Sequence, residues 1–287
     1  MALISTARKI NTDILHWAER IFNGWDLDIV PGANLFKEDH QFAGTDEERL
    51  SDLQLALDDK DIKAVLCARG GYGTSRLIDQ VNWSAFKNLP KWVMGYSDIC
   101  VLHGHLQHLG YQSLHCSMPV NFRDNTQESL ETMRKAIFGE RLVYPAAGHP
   151  LNRKGKASGQ LVGGNLSILY SIKGTSSMPP LKGNILFIED LDEYLYHVDR
   201  MMVSLKRGGV FEDISGLVVG GMTDMKDNEN PFGKSAEEIV SDHCLEYDIP
   251  VCFGFPAGHQ DDNRALIMGS RVELSVGDGG AELRFSS

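Results

Sequence analysis

Residues 89–105 read Leu-Pro-Lys-Trp-Val-Met-Gly-Tyr-Ser-Asp-Ile-Cys-Val-Leu-His-Gly-His, and this stretch decides the fold. The apolar run at 92–94 is typical of a short buried strand, and the segment after Asp98 is typical of a helix. Ser97 therefore falls at a sharp strand-to-helix turn, where a serine side chain is exposed beside a helix N-terminus. Two interpretations are open: a catalytic nucleophile, or an N-cap whose oxygen accepts a backbone N–H. The usual Gly-x-Ser-x-Gly pattern is incomplete, because Ile99 stands at the second glycine position.

The composition predicts a globular protein of two domains. The chain has 287 residues, and domains run to roughly 100–200 residues. Its net charge of −11 argues against nucleic acid or an anionic membrane as a partner, since both attract a basic surface. We expect a cytoplasmic protein, because no apolar run long enough to cross a membrane and no signal peptide are visible. Five cysteines without Cys-x-x-Cys spacing are typical of reduced thiols.

The first half of the chain alternates strand and helix patterns. Thr45 and Glu48 form a capping box at the start of one helix. Strand patterns occupy 27–30, 62–68, 92–94 and 113–116, and helical patterns occupy 13–22, 46–57, 99–109 and 126–138. Repeated β-α units predict an α/β fold with a mostly parallel sheet and helices on both faces. Ligands in such sheets bind beyond the carboxyl ends of the strands. The 69–73 loop and Ser97 both follow strands directly, so we expect both at that edge.

The second half of the chain is mixed. Residues 145–160 are basic and rich in turn residues, and we place a domain boundary there. This gives an N-terminal α/β domain at 1–148 and a smaller C-terminal domain at 149–287. Strand patterns occupy 184–188, 217–219, 251–253, 265–268, 272–275 and 281–285, and helical patterns occupy 198–206 and 235–245. The run of short strands at the end predicts a small antiparallel or barrel-like element.

Three other features have both a catalytic and an ordinary interpretation. The glycines of Gly70-Gly71-Tyr72-Gly73 could present N–H groups to an oxyanion or phosphate, or could simply make a tight turn. Glu189 and Asp190 end a buried strand, where an acid could orient a histidine, be solvated or pair with Arg200. His259 closes another strand pattern and is either a general base or solvated. A serine, an acid and a histidine that each follow a strand fit one scheme, in which Ser97, Glu189 and His259 form a triad.

Metal-ligand patterns are weak. His103, His105 and His108 lie on a predicted helix, where positions two apart diverge by about 200°. No carboxylate or cysteine completes a ligand set around them, so we interpret them as satisfied or exposed histidines. Acidic residues at 224, 227, 229, 261 and 262 lack EF-hand spacing and are typical of solvated loops. The sequence predicts no metal and no cofactor.

Five motifs in order resemble those of the LD-carboxypeptidases, a serine peptidase family that also contains the microcin-C immunity peptidases. They are Ala-Arg-Gly-Gly-Tyr-Gly at 68–73, Gly-Tyr-Ser-Asp at 95–98, Gly-Gly-Asn-Leu at 163–166, Ile-Leu-Phe-Ile-Glu-Asp at 185–190 with Tyr-His-Val-Asp-Arg at 196–200, and Gly-Phe-Pro-Ala-Gly-His at 254–259. The start departs from the family, whose first strand usually ends near Pro-Ser, whereas Leu-Ile-Ser-Thr-Ala stands here at 3–7. We therefore leave the substrate specificity most open.

The resemblance implies a Ser97–His259–Glu189 triad. It also implies an oxyanion hole made by the backbone N–H of Asp98 and of a glycine at 70–71, for which we favour Gly71. The implied architecture is an N-terminal α/β domain and a C-terminal domain with a barrel-like portion, with the site at their junction in a homodimer that needs no metal.

The activity implied by the resemblance is cytoplasmic removal of the terminal D-alanine from murein tetrapeptide, which is cleavage of an L,D amide. Arg69 is our candidate for binding the substrate carboxylate. Asn165 either contacts the peptide or caps the next helix. The alternative function is microcin-immunity-like hydrolysis of a peptidyl- or aminoacyl-nucleotide.

Overall fold

Two mixed β-sheets and their helices make up the protein. The computed structural model describes residues 1–286. The first half contains β1 (Ala2–Ile4), α1 (Asp13–Asn23), β2 (Val30–Pro31), α2 (Asp46–Asp58), β3 (Ala64–Cys67), α3 (Ser84–Asn88), β4 (Trp92–Gly95), α4 (Cys100–His108), β5 (Ser113–His115) and α5 (Gln127–Ile137). The second half contains β6 (Val143–Ala147), β7 (Gly155–Asn165), α6 (Leu166–Ile172), β8 (Ile185–Leu191), α7 (Leu195–Arg207), α8 (Val210–Asp213), β9 (Gly216–Thr223), α9 (Ala236–Cys244), β10 (Val251–Cys252), β11 (Leu266–Met268), β12 (Arg271–Gly277) and β13 (Gly280–Phe285).

The first sheet has the strand order β11-β5-β4-β3-β1-β2. Strands β1 to β5 run parallel, and only β11 runs antiparallel, against β5. The prediction of a mostly parallel α/β sheet is confirmed. The carboxyl ends of β1, β3 and β4 lie side by side at one edge, so the segments that follow these strands meet there. Leu3, Val65 and Val93 in these strands are fully buried, and each such side chain stabilises the fold by roughly 1.5–3 kcal/mol.

The second sheet has the strand order β10-β9-β8-β7-β12-β13-β6. Its strands β7 to β10 run parallel, whereas β6, β7, β12 and β13 form an antiparallel half. Of the two predicted alternatives for the last strands, the antiparallel element is confirmed. The sheet is not a closed barrel, because β10 and β6 lie unpaired with each other at opposite edges of an open sheet within residues 1–286. The short strand β11 does not join the second sheet. It pairs with β5 of the first sheet.

The turn-rich segment is shorter than predicted from sequence. Strand β6 ends at Ala147 and β7 begins at Gly155, so strand residues occupy both sides of it. A domain boundary at 148/149 stays a prediction. Among residues 1–286, no helix combines the length and apolar character needed to cross a bilayer.

Helix α4 connects the two halves of the protein. It begins just after Ser97 and packs against β7 and α6 of the second half. Gly164 in β7 has φ +141°, and a Cβ there would lie 2.3 Å from Cys100 Sγ. The backbone N–H of Asn165 also contacts this sulfur, at 3.2 Å. The absence of a side chain at Gly164 therefore lets the start of α4 dock closely on the second sheet.

The capping box of α2 gives a test of local stability. Thr45 accepts a hydrogen bond from the N–H of Glu48 at 3.3 Å, and Glu48 accepts one from the N–H of Thr45 at 2.9 Å. We expect Thr45→Ala to lower the free energy of unfolding by about 1 kcal/mol. Thr12 precedes α1 without a side-chain capping bond, so Thr12→Ala is the matched control and should change less than about 0.5 kcal/mol. Urea unfolding monitored by circular dichroism measures both, and equal losses would contradict the role of the cap.

Candidate active site

Ser97 lies in a strained turn at the carboxyl end of β4. Its φ is +64°, in the left-handed region that non-glycine residues rarely adopt. Such a conformation costs about 1–3 kcal/mol and is frequent at active sites. Ser97 begins a 3₁₀ turn that continues into α4, and the capping position belongs to Tyr96. The N-cap interpretation of Ser97 is therefore wrong. Its half-buried side chain borders a cleft of about 460 Å³.

The glycine loop after β3 lies directly against this turn. A Cβ at Gly70 would lie 2.8 Å from Ser97 Cβ, 3.0 Å from Ser97 Oγ and 3.3 Å from the backbone N of Asp98. Gly71 has φ +110° and its Cβ position is filled by the side chain of Arg8. The backbone of the loop can therefore approach the serine only because both residues are glycine.

His259 and Glu189 form a buried hydrogen-bonded pair. His259 Nδ1 lies 2.6 Å from Glu189 Oε2, and the backbone N–H of His259 donates to the same oxygen at 3.1 Å. The Glu189 side chain is fully buried, and that of His259 is 12% exposed. Gly258 makes this approach possible, because a Cβ there would lie 2.7 Å from Glu189 Cβ. Arg200, the alternative partner for Glu189, lies instead over the ring of Tyr196.

The hydrogen bond fixes the protonation of the imidazole. A carboxylate only accepts, so Nδ1 carries the proton and Nε2 is free to act as a base. Burial lowers the pKa of His259, but the charge of Glu189 and its hydrogen bond outweigh burial and raise that pKa above its ordinary value. Burial likewise raises the pKa of Glu189, and the His259 contacts overcome this and hold it below the usual range.

A proton NMR titration tests this pair. We expect the pKa of His259 to lie above 6.5, and to fall below 6.5 in Glu189→Gln, because burial then acts without the compensating carboxylate. His259→Asn identifies the resonance by its loss. An imidazole pKa that is the same in Glu189→Gln and in the wild-type protein would contradict the coupling.

Ser97 and His259 border the same cleft. The ring of Tyr96, the residue before Ser97, packs on the His259 ring with 4.7 Å between centroids. Tyr96 is held in turn by a hydrogen bond from its hydroxyl to Asn121 Oδ1 at 3.0 Å. The structure therefore brings together the three residues of the predicted triad, Ser97 from the first sheet and Glu189 and His259 from the second half of the chain.

The two walls of the cleft differ in charge. Arg8 and Arg69 line it beside the glycine loop, whereas Asp190, Asp192 and Glu193 line it at the end of β8. The acidic wall is partly compensated, since Asp192 pairs with Lys226 at 2.6 Å and Glu193 with His197 at 2.6 Å. An elongated substrate with charges at different positions would meet a cationic and an acidic end.

Asn165 caps the next helix. Its Oδ1 accepts from the N–H of Ile168 at 3.2 Å and from Ser167 Oγ at 2.7 Å, and its Nδ2 donates to Asp190 Oδ1 at 2.8 Å. The structure therefore shows the helix-capping interpretation of Asn165. The residue also borders the cleft. Burial, followed by the charge of Glu189, raises the pKa of its partner Asp190 to about 7.

Two of the three histidines of α4 serve packing, whereas His108 is exposed. His103 is fully buried, with hydrogen bonds at 2.8 Å to Ser113 Oγ and to the carbonyl of Gly95, and burial lowers its pKa to about 4. His105 stacks on Trp83 with 5.3 Å between centroids. Among residues 1–286, no group of three histidine, cysteine or acidic side chains is arranged to hold a metal ion.

Sequence reasoning did not find Arg8 or His115. Arg8 follows β1. A prediction that β1 pairs with β3 would have placed Arg8 at the cleft. His115 is fully buried on β5, where burial lowers its pKa to about 3. It packs edge-on against Tyr96 and Phe187, 5.7 and 5.2 Å between centroids. No spacing in the sequence indicated that this histidine lies near Glu189.

Comparison with known proteins agrees with this architecture. Profiles described as the N-terminal and C-terminal domains of LD-carboxypeptidase match residues 1–116 and 158–274. A murein tetrapeptide carboxypeptidase of Pseudomonas aeruginosa is 30% identical across 96% of this chain and 92% of that protein. The muramoyltetrapeptide carboxypeptidase of Oxalobacter formigenes superposes with a TM-score of 0.91 at 27% identity, covering 100% of this chain and 98% of that one.

A more distant structure shares the fold alone. The microcin C7 self immunity protein MccF, solved with aspartyl sulfamoyl adenosine, has a TM-score of 0.83 at 21% identity, covering 100% of this chain and 95% of that one. The resemblance inferred from five short motifs is confirmed by the profiles and by the relative from Pseudomonas aeruginosa. The chain therefore belongs to the LD-carboxypeptidase family and is an enzyme of the serine carboxypeptidase type.

Proposed function

We propose that the protein hydrolyses the L,D amide that links the terminal D-alanine to a murein tetrapeptide, with Ser97, His259 and Glu189 as its catalytic triad. The observation that carries the proposal is the buried Glu189–His259 hydrogen bond in the cleft that also holds the strained Ser97 turn. Murein peptides are the named substrates of the relatives from Pseudomonas aeruginosa and Oxalobacter formigenes. We also expect a cytoplasmic homodimer.

The reaction follows from the protonation of the pair. His259 Nε2 takes the proton of Ser97 Oγ as the oxygen attacks the scissile carbonyl carbon, and Glu189 stabilises the imidazolium that forms. The imidazolium then gives this proton to the leaving amine of D-alanine. Water, activated by the same imidazole, hydrolyses the acyl-enzyme and restores the serine.

The developing oxyanion needs donors next to Ser97. We assign this role to the backbone N–H groups of Asp98 and Gly71. Asp98 is in the first turn of a helix, where N–H groups have no partner within the helix. The close approach of Gly70 to Ser97 supports the second donor, because the Gly71 N–H belongs to the peptide that directly follows Gly70. In other enzymes, each such donor increases kcat by about 10²–10³-fold.

Replacement of the nucleophile is the first test. We expect Ser97→Ala to lower D-alanine release from tetrapeptide by about 10⁴-fold or more, because no other group can form the acyl-enzyme. Ser51, exposed on α2, gives the control variant Ser51→Ala, which should keep wild-type activity. Mass spectrometry quantifies the released D-alanine, and unchanged thermal unfolding shows an intact fold. An active Ser97→Ala protein would refute the mechanism.

The glycine loop gives an independent test. In Gly70→Ala the new methyl would lie 3.0 Å from Ser97 Oγ and displace the loop. A displacement of about 1 Å at a reacting group costs about 10²-fold in kcat. Gly277→Ala is the control, since no atom lies within 4 Å of its Cβ position. Wild-type kcat in Gly70→Ala would show that the loop does not contribute to the reaction.

The same assay distinguishes the alternative substrate. Hydrolysis of a peptidyl-adenylate analogue, compared with lysine- and diaminopimelate-containing tetrapeptides at equal concentration, separates the microcin-immunity-like function from the proposed one. We expect the tetrapeptides to be preferred, because murein peptides are the named substrates of the relatives from Pseudomonas aeruginosa and Oxalobacter formigenes. A higher kcat/KM for the adenylate would favour the alternative.

A further inference from the structure

Arg8 is a cationic residue of the cleft whose side chain has no hydrogen-bond or ion-pair partner in the part of the chain that the structure describes. Its exposed side chain borders the cavity beside Ser97. Among residues 1–286, no carboxylate lies within 4.0 Å of the guanidinium of Arg8 or of Arg69. Within the same described residues, the only protein acceptor for either guanidinium is the carbonyl of Lys9, 3.2 Å from Arg69 Nη1. Two guanidinium groups are therefore left to face the cleft.

The stem of Arg8 lies flat on the glycine loop. Its Cγ, Cδ and Nε atoms lie 2.6–2.8 Å from the position that a Cβ of Gly71 would occupy. A side chain at Gly71 would therefore displace Arg8 as well as strain the loop. The glycine at this position both permits the positive φ of the loop and makes room for the arginine side chain.

The backbone around Arg8 is fixed on both sides. Its N–H donates to the carbonyl of Gly70 at 3.4 Å, and its own carbonyl accepts from Ser5 Oγ at 3.1 Å. The next residue, Lys9, donates its N–H to the carbonyl of Gln41 at 3.0 Å. Arg8 is thus presented from an anchored segment, which lowers the entropy lost when its side chain binds a ligand.

We propose that Arg8, together with Arg69, binds the free carboxylate of the C-terminal residue that the enzyme releases, and that Arg8 is the main determinant of the requirement for that carboxylate. This inference rests on the proposed carboxypeptidase function. The leaving group is a single amino acid, so its carboxylate lies about one residue length, ~3.8 Å, beyond the scissile amide. That distance brings it to the rim of the oxyanion loop, where the two arginines flank Gly70 and Gly71.

The chemistry of guanidinium suits this ligand. Its planar fork donates two parallel hydrogen bonds to a carboxylate, which an ammonium cannot do. Two adjacent like charges repel each other, and an anion between them removes that repulsion. Burial and then the charge of Arg8 lower the pKa of Arg69, which reflects this closeness. Endopeptidase substrates lack a carboxylate at this position and would leave both cations unpaired.

The test compares a tetrapeptide with its C-terminal carboxamide. We expect the wild-type enzyme to prefer the acid, and Arg8→Ala to lose about 10- to 100-fold in kcat/KM on the acid, mainly through KM. The kcat/KM of the same variant on the amide should change little. The ratio of kcat/KM on the acid to kcat/KM on the amide therefore falls towards one. Arg8→Lys keeps the charge without the fork and should give an intermediate ratio. Arg207→Ala, at the far end of α7, is the control and should keep the wild-type ratio.

A binding measurement keeps this proposal separate from the catalytic one. Calorimetry in the Ser97→Ala background measures affinity for the intact acid and amide, with and without Arg8→Ala, whether or not turnover occurs. An acid preference that Arg8→Ala abolishes supports the proposal. The same acid preference with and without Arg8, or an Arg8-dependent preference for a peptidyl-adenylate analogue over the acid, would overturn it. Failure of the proposed function would appear differently, as D-alanine release that survives Ser97→Ala or is absent from the wild-type protein.

Discussion

The buried hydrogen bond between Glu189 and His259 is the interaction on which the site depends. A fully buried carboxylate costs several kcal/mol unless it is paired, and Glu189 meets this cost with two donors from one residue. Both donors require the loop at 258–259 to lie against the end of β8, which the glycine at 258 permits. The next residue, Asp190, accepts two hydrogen bonds from the start of α6 and also borders the cleft. The last residues of β8 thus hold both the histidine loop and a helix in place.

The histidine loop is anchored in both sheets. Strand β10 before it pairs with β9 of the second sheet, and β11 after it pairs with β5 of the first sheet. Strand β5 also pairs with β4, whose carboxyl end carries Ser97. The loop therefore connects the acid of one sheet to the serine of the other through two short strand pairings. Docking of α4 on Gly164 gives a second connection between the same elements.

Local patterns explain which parts of this arrangement could be predicted from the sequence. The strand-turn-helix at Ser97, the capping box at Thr45 and the βα repeats depend on neighbouring residues, and all appear in the structure. The pairing of β11 with β5 depends on residues about 150 positions apart, and three apolar residues do not specify which sheet they join. The choice between an open antiparallel sheet and a barrel was left open for the same reason, since closure depends on pairing between strands that are distant in sequence. Arg8 was missed because its importance comes from the position of β1 between β2 and β3.

Net charge and local charge act over different distances in this protein. The chain carries −11 overall, which opposes the approach of an anionic peptide, but salt screens such repulsion beyond about 8–10 Å. Inside the cleft, the nearest charges determine the electrostatic interaction with a ligand. The two arginines lie beside the glycine loop, and the acidic wall lies at the end of β8. A free carboxylate that enters beside the two arginines would meet a favourable local charge in spite of the negative charge of the whole chain. The charges that line the cleft, more than the net charge of the chain, therefore govern which ionised groups can bind there.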